Sequence, residues 1–486
     1  MLTKEEIKQF IDEDKLSQKK KQAREGLRYY ESEHDIKDYK IYYYNKDGKL
    51  LEDTNKSNMK IPHSFFTELI DQKAQYMLST KDQFIKSDFP ELQGYLDEYF
   101  DEDFKQELSD VLTYGGAEGF SYAYAYKNEE DRIAFKFSEA LGIVEVEAKY
   151  ASDGQDHVIY HYVDKVKQKD KVVTKIQVWD KDYTWYYEEV DGEIVPDFSY
   201  EMNPRPHILY NIKNKQYYDT FGFIPFFRFD NNRRQYSDLK PIKELIDDYD
   251  LMSCGLSNNL QDLSDGYFCV KGFEGDNLDE LISNVKNKKF IGVGEGGDLD
   301  VKTVDIPYDA RKTKMELDEK NIYRFGMGFN SAQLGDGNIT NIVIKSRYAL
   351  LDLKCNKCES NLKKFLKKII KVVLDEINEQ NNTDYTMKDV YFEFDREVMT
   401  NASDNAQIEL TEAQTKQVEI TTLLNIQTLL DNETLMQNIC DILDIDYEEI
   451  KDKLPQEEEE NLDTLSNELM TGGAEETPTE EVDLNE

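Results

Sequence analysis

The spacing of hydrophobic residues changes twice along the chain. Apolar residues recur at helical spacing up to about residue 113, alternate with polar residues from 120 to 229, and return to helical spacing from 238. Alternation with a period of two is typical of antiparallel strands, and the Asp-Gly pairs within this region mark turns. The sequence therefore predicts an α+β fold in which an antiparallel meander lies between two helical regions.

The N-terminal region predicts three helical segments. Thr3 and Glu6 form a capping-box pattern at the start of one or two helices over 3–31. A second segment at 61–78 carries an apolar stripe. The third, at 90–113, is acidic and amphipathic, and we expect it to end at the following YGGAEG sequence because glycines stop helices.

Two long helices are predicted immediately after the meander, at 238–265 and 308–329. Ser237 or Asp238 is the expected N-cap of the first helix. The Gly-rich sequence between the two helices, 266–307, has the pattern strand–helix–strand. We therefore expect a compact insert bracketed by two helices.

A third, very long helix is predicted at 341–381, with apolar residues on one face and a run of lysines on the other. A strand at 390–398 and a short helical bundle at 401–454 follow it. The final residues, 455–486, contain 12 acidic residues and no lysine or arginine. This composition predicts a disordered acidic tail.

The charge of the chain argues against tight binding to polyanions. Sixty basic and 100 acidic residues give a net charge of −40, whereas proteins that grip nucleic acid or anionic membranes present clustered cations. The 32 tyrosines and 24 phenylalanines argue against general disorder. Five cysteines are too few for a disulfide scaffold, and no signal peptide or membrane span is evident, so we expect a cytosolic product.

A nucleotide site is the first possibility raised by GFNSAQLGDGNITN, residues 328–341. A P-loop requires a lysine that reaches the phosphates and a hydroxyl residue that binds Mg²⁺, and this loop has no Gly-Lys pair. Asp336 would also repel phosphate. A dinucleotide-binding loop would follow a strand rather than a helix. We therefore expect no ATPase here and no cofactor.

For the other candidate sites, a structural role is favoured over a catalytic or metal-binding role. The single CNKC motif at 355–358 lacks further zinc ligands, so packed thiols are favoured. His157 and His161 share a strand face without a third ligand. Asp247 and Asp248 are an acidic pair in a chain rich in acids, and no nucleophile signature stands out. The lysines of 363–371 are interpreted as a solvated face or as partners of a neighbouring chain, with a phosphate contact as the less favoured alternative.

Four segments in the same order resemble the portal family of long-tailed phages of Gram-positive bacteria. They are NMKIPHSFFTELIDQKAQYMLST (58–80), YGGAEGFSYAYAY (114–126), FIPFFRFDNNRRQYSDLKPIKELIDDYDLMSCGLSN (223–258) and ITTLLNIQTLLDNETLMQNICDILDIDYEEI (420–450). The resemblance extends from about residue 25 to 450. It implies a mainly helical portal fold with an antiparallel β-rich wing, long stem helices and a small α/β clip insert.

The resemblance also implies how the chain is divided. The wing would cover 1–236, the stem helices 237–265 and 308–329, the clip 266–307, the tunnel loop 330–340, the long helix with a wing return strand 341–404, the crown helices 405–454, and an acidic tail that the resemblance does not assign 455–486.

The resemblance implies that twelve copies form a ring in the virion. This ring would be the channel for packaging and ejection of double-stranded DNA. Its tunnel loop would place Leu334, Gly335, Asp336, Gly337 and Asn338 nearest the duplex, with the two glycines allowing the loop to bend. The acidic chain would keep the channel from holding DNA tightly.

Two further groups of residues are candidate contacts. Lys345 and Arg347 either touch phosphates transiently or bind an adjacent acidic stem, and the second alternative is slightly favoured. The surface of the clip that meets partners would include Phe273, Glu274, Asp276 and Asn277.

The implied partners are further copies of the chain, the terminase large subunit, a head-completion adaptor, scaffolding and major capsid proteins, and the passing DNA, with no membrane. The chain would be found at the portal vertex of the virion, and in the host cytoplasm during assembly. Two alternatives stay open from the sequence: an ATPase or nuclease of the packaging motor, and a cytosolic interaction protein that forms no ring.

Overall fold

The computed structural model describes residues 2–54, 56–80, 83–148, 154–166, 171–212, 215–262, 267–271, 296–302, 307–330, 341–394, 396, 402–426 and 432–443. The chain forms two compact units, one of residues 1–337 and 345–398 and the other of residues 338–344 and 399–486.

The described residues form ten α-helices and seventeen strands. The helices are α1 (Lys4–Leu16), α2 (Gln18–Tyr30), α3 (Phe65–Met77), α4 (Pro90–Tyr99), α5 (Glu102–Glu118), α6 (Lys243–Asp262), α7 (Tyr308–Gly326), α8 (Asn341–Asn381), α9 (Ala402–Asn425) and α10 (Asn432–Leu443). The strands are β1 (Tyr42–Tyr44), β2 (Leu50–Glu52), β3 (Ile85–Lys86), β4 (Phe120–Lys127), β5 (Ile133–Ser138), β6 (Ile143–Glu147), β7 (Gln155–Val166), β8 (Lys171–Trp179), β9 (Tyr183–Val190), β10 (Glu193–Pro196), β11 (Arg205–Pro206), β12 (Ile208–Ile212), β13 (Lys215–Asp219), β14 (Phe226–Asp230), β15 (Tyr267–Lys271), β16 (Asp298–Lys302) and β17 (Tyr391–Phe392).

The region of alternating hydrophobicity folds into antiparallel sheets, as predicted. The largest has the strand order β10-β9-β8-β7-β6, with β11 beside β9, and a second has the order β14-β4-β5. Four separate pairs complete the set: β1-β2, β12-β13, β15-β16 and β17-β3. The α+β class is therefore confirmed.

The alternation works by placing every second side chain of the large sheet against α1. Ile159, Ile176 and Val178 are buried on this face, and Ile7 and Ile11 of α1 pack against them. Successive residues of a strand point to opposite faces, so Ile159 faces α1 while the neighbouring Val158 is buried on the other face with Ala23 of α2. The predicted capping box starts α1: Thr3 Oγ1 accepts from the Glu6 amide at 3.2 Å.

The predicted long helix is α8, which has the expected bounds. The apolar residues of its stripe, such as Leu362, Phe365 and Ile369, are buried in the main core together with side chains of α3, α4 and α5. The lysines of the opposite face are exposed or half-buried, and Lys363 pairs with Glu359 at 2.6 Å. Within this chain the lysine run is a solvated face.

The single helix expected at 90–113 is wrong in extent, although a glycine of the YGGAEG sequence ends the helical segment as expected. The structure has two helices, α4 and α5, and the second continues through Gly115 and Gly116 to Glu118. A Cβ at Gly115 would lie 2.6 Å from the Phe229 ring, so this glycine allows close packing instead of ending the helix. The helix ends at Gly119, which has φ +97°.

Two other elements are shorter than expected. The helix predicted from 238 begins at Lys243, because 237–242 forms turns in which Ser237 Oγ accepts from the Leu239 amide at 3.1 Å. Asp238 is therefore not an N-cap. Of the strand predicted at 390–398, the described residues form only Tyr391–Phe392, paired with β3, while 395, 397 and 398 lie outside the described residues.

The insert and the C-terminal unit are described in part. Strands β15 and β16 pair antiparallel, with Tyr267 opposite Lys302, while 272–295 lies outside the described residues. In the C-terminal unit, α9 and α10 correspond to the predicted bundle, and Leu435 and Cys440 of α10 are buried. The acidic tail at 455–486 also lies outside the described residues.

Candidate functional site

The best-defined polar site in the described chain is a charged joint, which we define as Lys73, Asp238 and Lys354 with their hydrogen-bond partners. Lys73 lies on α3, Asp238 precedes α6, and Lys354 lies on α8. The ammonium groups of Lys73 and Lys354 lie 2.9 Å and 3.1 Å from the same Asp238 oxygen. Three segments distant in sequence are thus joined at one carboxylate.

The same joint also holds the end of α7. Lys354 donates to the main-chain oxygen of Gly326, the last residue of α7, at 2.9 Å. Carbonyl oxygens at a helix C-terminus lack helical partners and carry partial negative charge, so an ammonium group is a favourable partner. Lys354 therefore connects the segment that leads into α6 with the end of α7.

Burial and charge have opposing effects in the joint. Although burial opposes ionisation, the two lysines hold the pKa of Asp238 well below its usual range. Burial also opposes the charge of Lys73, but Asp238 raises its pKa. Lys354 differs, because burial and the neighbouring Lys73 outweigh Asp238 and lower its pKa. The single carboxylate of Asp238 thus pairs with both ammonium groups.

A second cluster fixes the middle of α6. Asp250 is fully buried, and the Nδ1 atoms of His34 and His63 each lie 2.7 Å from one of its oxygens. The main-chain amide of His63 also donates to Asp250 at 2.9 Å. Burial would raise the pKa of Asp250, but these hydrogen bonds lower it overall. Segments before and after β1-β2 are thereby attached to α6.

The helices α6 and α7 are themselves linked. Lys314 on α7 forms ion pairs with Asp248 on α6 and with Asp318 on its own helix. Ile246 of α6 and Ile322 of α7 share a core cluster with Leu69 of α3. The joint, the Asp250 cluster and this shared core together make α6 and α7 a fixed pair on the body of the first unit.

Most of the predicted site residues cannot be placed. Leu334, Gly335, Asp336, Gly337 and Asn338 of the expected tunnel loop lie outside the described residues, as do Phe273, Glu274, Asp276 and Asn277 of the expected clip surface. Lys345 and Arg347 belong to the described backbone of α8, but their side chains lie outside the described part. These assignments stay predictions.

The residues considered as possible metal-binding or catalytic groups have ordinary structural roles. Cys355 and Cys358 are buried free thiols in the core, as expected. Asp247 accepts a hydrogen bond from Tyr29, and Asp248 pairs with Lys314. Among the residues that the structure describes, there is no group of three or more His, Cys, Asp or Glu side chains arranged to hold a metal ion.

Comparison with known proteins gives the family. A model of the family described as "Phage portal protein, SPP1 Gp6-like" matches residues 9–462. The chain belongs to this portal family. The portal protein of Bacillus phage SPP1 is 29% identical over 342 residues, which are 70% of this chain and 66% of that protein, just under two thirds of its length. The portal protein of Clostridium phage phiCD119 is 24% identical over 397 residues, 76% of this chain and 84% of that protein.

The portal family is a family of structural proteins of phages, and this portal-family chain belongs to it. The match also extends further at both ends than the 25–450 expected from sequence resemblance. Among the helices in the described ranges, none combines the length and apolar character needed to cross a bilayer.

One buried acid in this portal-family chain has an unusual pKa. Glu118, the last residue of α5, is fully buried; its Oε2 accepts from the Ala140 amide at 2.8 Å, and its Oε1 has no partner. Burial raises the pKa of Glu118 to about 8, with the Ala140 hydrogen bond and Lys20 opposing this rise. The side chain is therefore mainly protonated at neutral pH.

This gives a prediction about pH. Between the ordinary glutamate pKa of about 4.3 and pH 8, the folded chain retains a proton on Glu118 that the unfolded chain releases. The free energy of unfolding should therefore fall as pH rises through this range, by at most about 1.4 kcal/mol per pH unit. Glu118→Gln should lose this dependence. In urea unfolding from pH 5 to 9, the free energy of unfolding of the variant relative to the wild type should increase up to about pH 8 and then stay constant.

The control is Glu102→Gln, which removes an exposed acid at the other end of the same helix. If Glu118→Gln and Glu102→Gln followed the same pH curve, Glu118 would not be a protonated acid in the folded chain.

Proposed function

We propose that this chain is the subunit of a portal ring at one vertex of a phage capsid, through which double-stranded DNA is packaged and ejected. The observation that carries the proposal is the family match over residues 9–462. In the virion the ring would contain twelve copies, joined by head-to-tail contacts that close on themselves. The chain would also be present in the host cytoplasm while capsids assemble.

The described architecture supports the assignment of parts. Helices α6 and α7 bracket the paired strands β15 and β16. We assign α6 and α7 to the stem within 237–265 and 308–329, the insert 266–307 to the clip, and 405–454 to the crown. The wing would be 1–236, completed by 341–404. The charged joint would then lie where the stem meets the wing.

In this assignment the charged joint would hold the stem helices against the wing under mechanical load. A channel wall through which a motor drives DNA must transmit load to the capsid without its helices sliding. Lys354 links the segment before α6 to the last turn of α7, and Asp250 attaches the middle of α6 to the N-terminal region. The stem pair is thus fixed at its base while its far end reaches the insert.

The charge of the chain fits a channel that does not retain DNA. Each phosphate neutralised by a cation adds affinity, so a lumen with many exposed cations would slow sliding. A net charge of −40 per subunit opposes such retention. The terminase large subunit and the head-completion adaptor would bind at the clip around Phe273 and Asp276, and scaffolding and major capsid proteins would bind the outer surface.

The tunnel-loop assignment leads to a test by deletion. Removal of 333–338 should leave rings intact, since the residues lie between α7 and α8 and outside both, but should reduce the fraction of DNA-filled capsids. Rings are counted by negative-stain imaging of the purified chain, and filled capsids by sedimentation after packaging.

A replacement of 333–338 by six Gly and Ser residues is the control, because it keeps the loop length and removes only the side chains. Normal packaging by the deletion would refute the loop assignment alone. A full-length chain that stayed monomeric at micromolar concentration would refute the portal proposal itself.

A further inference from the structure

An exposed aromatic hairpin stands out on the surface of the first unit. We call β1 and β2 with their connecting turn, residues 42–52, the tyrosine hairpin. Tyr42, Tyr44 and Leu50 are 52%, 73% and 50% exposed, and Tyr43 on the opposite face is 44% exposed. The register places Tyr44 opposite Leu50 and Tyr43 opposite Leu51. Both faces of the hairpin therefore present apolar surface.

A hairpin with this composition is poorly suited to remain in water. Two isolated strands are marginally stable at best, and clustered exposed apolar side chains mark interaction sites. The turn is nevertheless well formed: Asn45 Oδ1 accepts from the amides of Asp47 and Lys49 at 3.0 and 2.8 Å, and Gly48 has φ +74°. The sequence thus specifies a hairpin but supplies little of its own chain to cover it.

The base of the hairpin is firmly attached. The amide of Ser57 donates to Asp262 at 3.1 Å and that of Met59 donates to Asn258 at 2.7 Å, both on the last turns of α6. On the other side of the hairpin, His34 is bound to Asp250. The tyrosine hairpin is therefore an arm held at a defined place beside the C-terminal half of α6.

Charge indicates what the arm would bind. The hairpin itself has two lysines and two acidic residues and is neutral. Together with its flanking segments, residues 37–60, it has six lysines and four acidic residues and is net positive, whereas the whole chain has a charge of −40. The best partner is thus an acidic protein surface with apolar patches. Nucleic acid is less suitable, because the lysines alternate with acids and Lys40 is already paired with Glu52 at 2.9 Å.

We propose that the tyrosine hairpin docks on the adjacent copy of this chain in the ring, an inference that rests on the proposed function. A second copy has the required acidic surface, and the contact is heterologous, as ring closure requires. Strongly acidic copies repel one another, and a neutral hairpin between net positive flanking segments reduces that repulsion where the copies meet. Tyrosine side chains that become buried at such a contact are typical hot spots of binding.

The test compares two pairs of tyrosines. Tyr42→Ser with Tyr44→Ser should raise the concentration needed for half-maximal ring formation at least about tenfold, as expected for loss of hot-spot side chains. Tyr217→Ser with Tyr218→Ser is the control, because these tyrosines are also exposed, at 50% and 40%, on the separate β12-β13 hairpin. Ring formation is measured by mass photometry over a concentration series.

Both variants should retain the thermal unfolding curve of the wild-type monomer, because the replaced side chains are exposed. Ring formation unchanged in the Tyr42 and Tyr44 variant, or weakened equally in the Tyr217 and Tyr218 variant, would overturn the inference while the portal proposal stands. A wild-type chain without rings would overturn the portal proposal and the inference with it.

Cross-linking identifies the occupant directly. A photoreactive benzoylphenylalanine in place of Tyr44 should yield chains cross-linked to other chains in ring fractions and none in monomer fractions. Cross-links confined to single chains, or formed only with added DNA, would overturn the inference.

Discussion

Asp238→Asn is expected to lower the free energy of unfolding by about 3 kcal/mol. The substitution preserves size but removes the only carboxylate that contacts both Lys73 and Lys354 in the described structure. Removal of one member of a buried ion pair typically costs about 3–5 kcal/mol, because a charge is left buried without its partner. We expect the lower end of this range because the Asp238 side chain retains 16% exposure.

The measurement is urea unfolding of the purified chain at one fixed protein concentration, since assembly would otherwise add to stability. Glu316→Gln is the matched control. It removes an acid from α7 whose partner Lys312 is 3.9 Å away and whose pair is exposed, so its effect should stay below about 1 kcal/mol.

A second substitution tests the contribution of Lys354 separately from that of Lys73. Lys354→Met in the Asp238→Asn background should recover part of the loss, because it removes one of the two unpaired charges and leaves apolar packing. If Asp238→Asn behaved like Glu316→Gln, the joint would not stabilise the base of α6 and α7, and the mechanical role assigned to it would fail.

The joint is also the part of the site that the sequence did not reveal. Lys73 occupies a core-facing position of α3, between Ile70 and Met77 on the apolar stripe, and Lys354 directly precedes the buried Cys355. A lysine in an apolar stripe was the available signal. Its partner Asp238 was instead expected to cap a helix, because Asp before an apolar helix is the usual N-cap pattern. Only the tertiary structure brings the three together.

The fold was easier to predict where one rule decided the outcome. The alternation of 120–229 indicates strands and the apolar stripe of α8 indicates a long helix with one buried face, so both were predictable. The extension of α5 through Gly115 and Gly116 was not, because a glycine at these positions has two possible roles. Glycine can stop a helix or allow close contact within one, and the Phe229 ring that decides between them is remote in sequence.

Gly26→Ala should be the most damaging glycine-to-alanine substitution in the described helices. Gly26 lies within α2, where alanine would normally add up to about 1 kcal/mol of helix stability. Here the added Cβ would lie 1.9 Å from the main-chain oxygen of Ala117 and 2.8 Å from Ser237 Oγ. Backbone atoms of a buried helix cannot yield as a side chain can, so α2 would have to move away from α5.

Overpacking of this kind costs about 1–3 kcal/mol, occasionally more, and here it opposes the gain in helix propensity. We therefore expect Gly26→Ala to lower the free energy of unfolding by about 2 kcal/mol. Gly94→Ala on α4 is the matched control, because its added Cβ would meet no atom within 4 Å and should leave only the propensity gain. Urea unfolding should thus give opposite signs for two identical substitutions in two helices. Equal signs would mean that α2 and α5 do not approach as closely as the Ala117 contact requires.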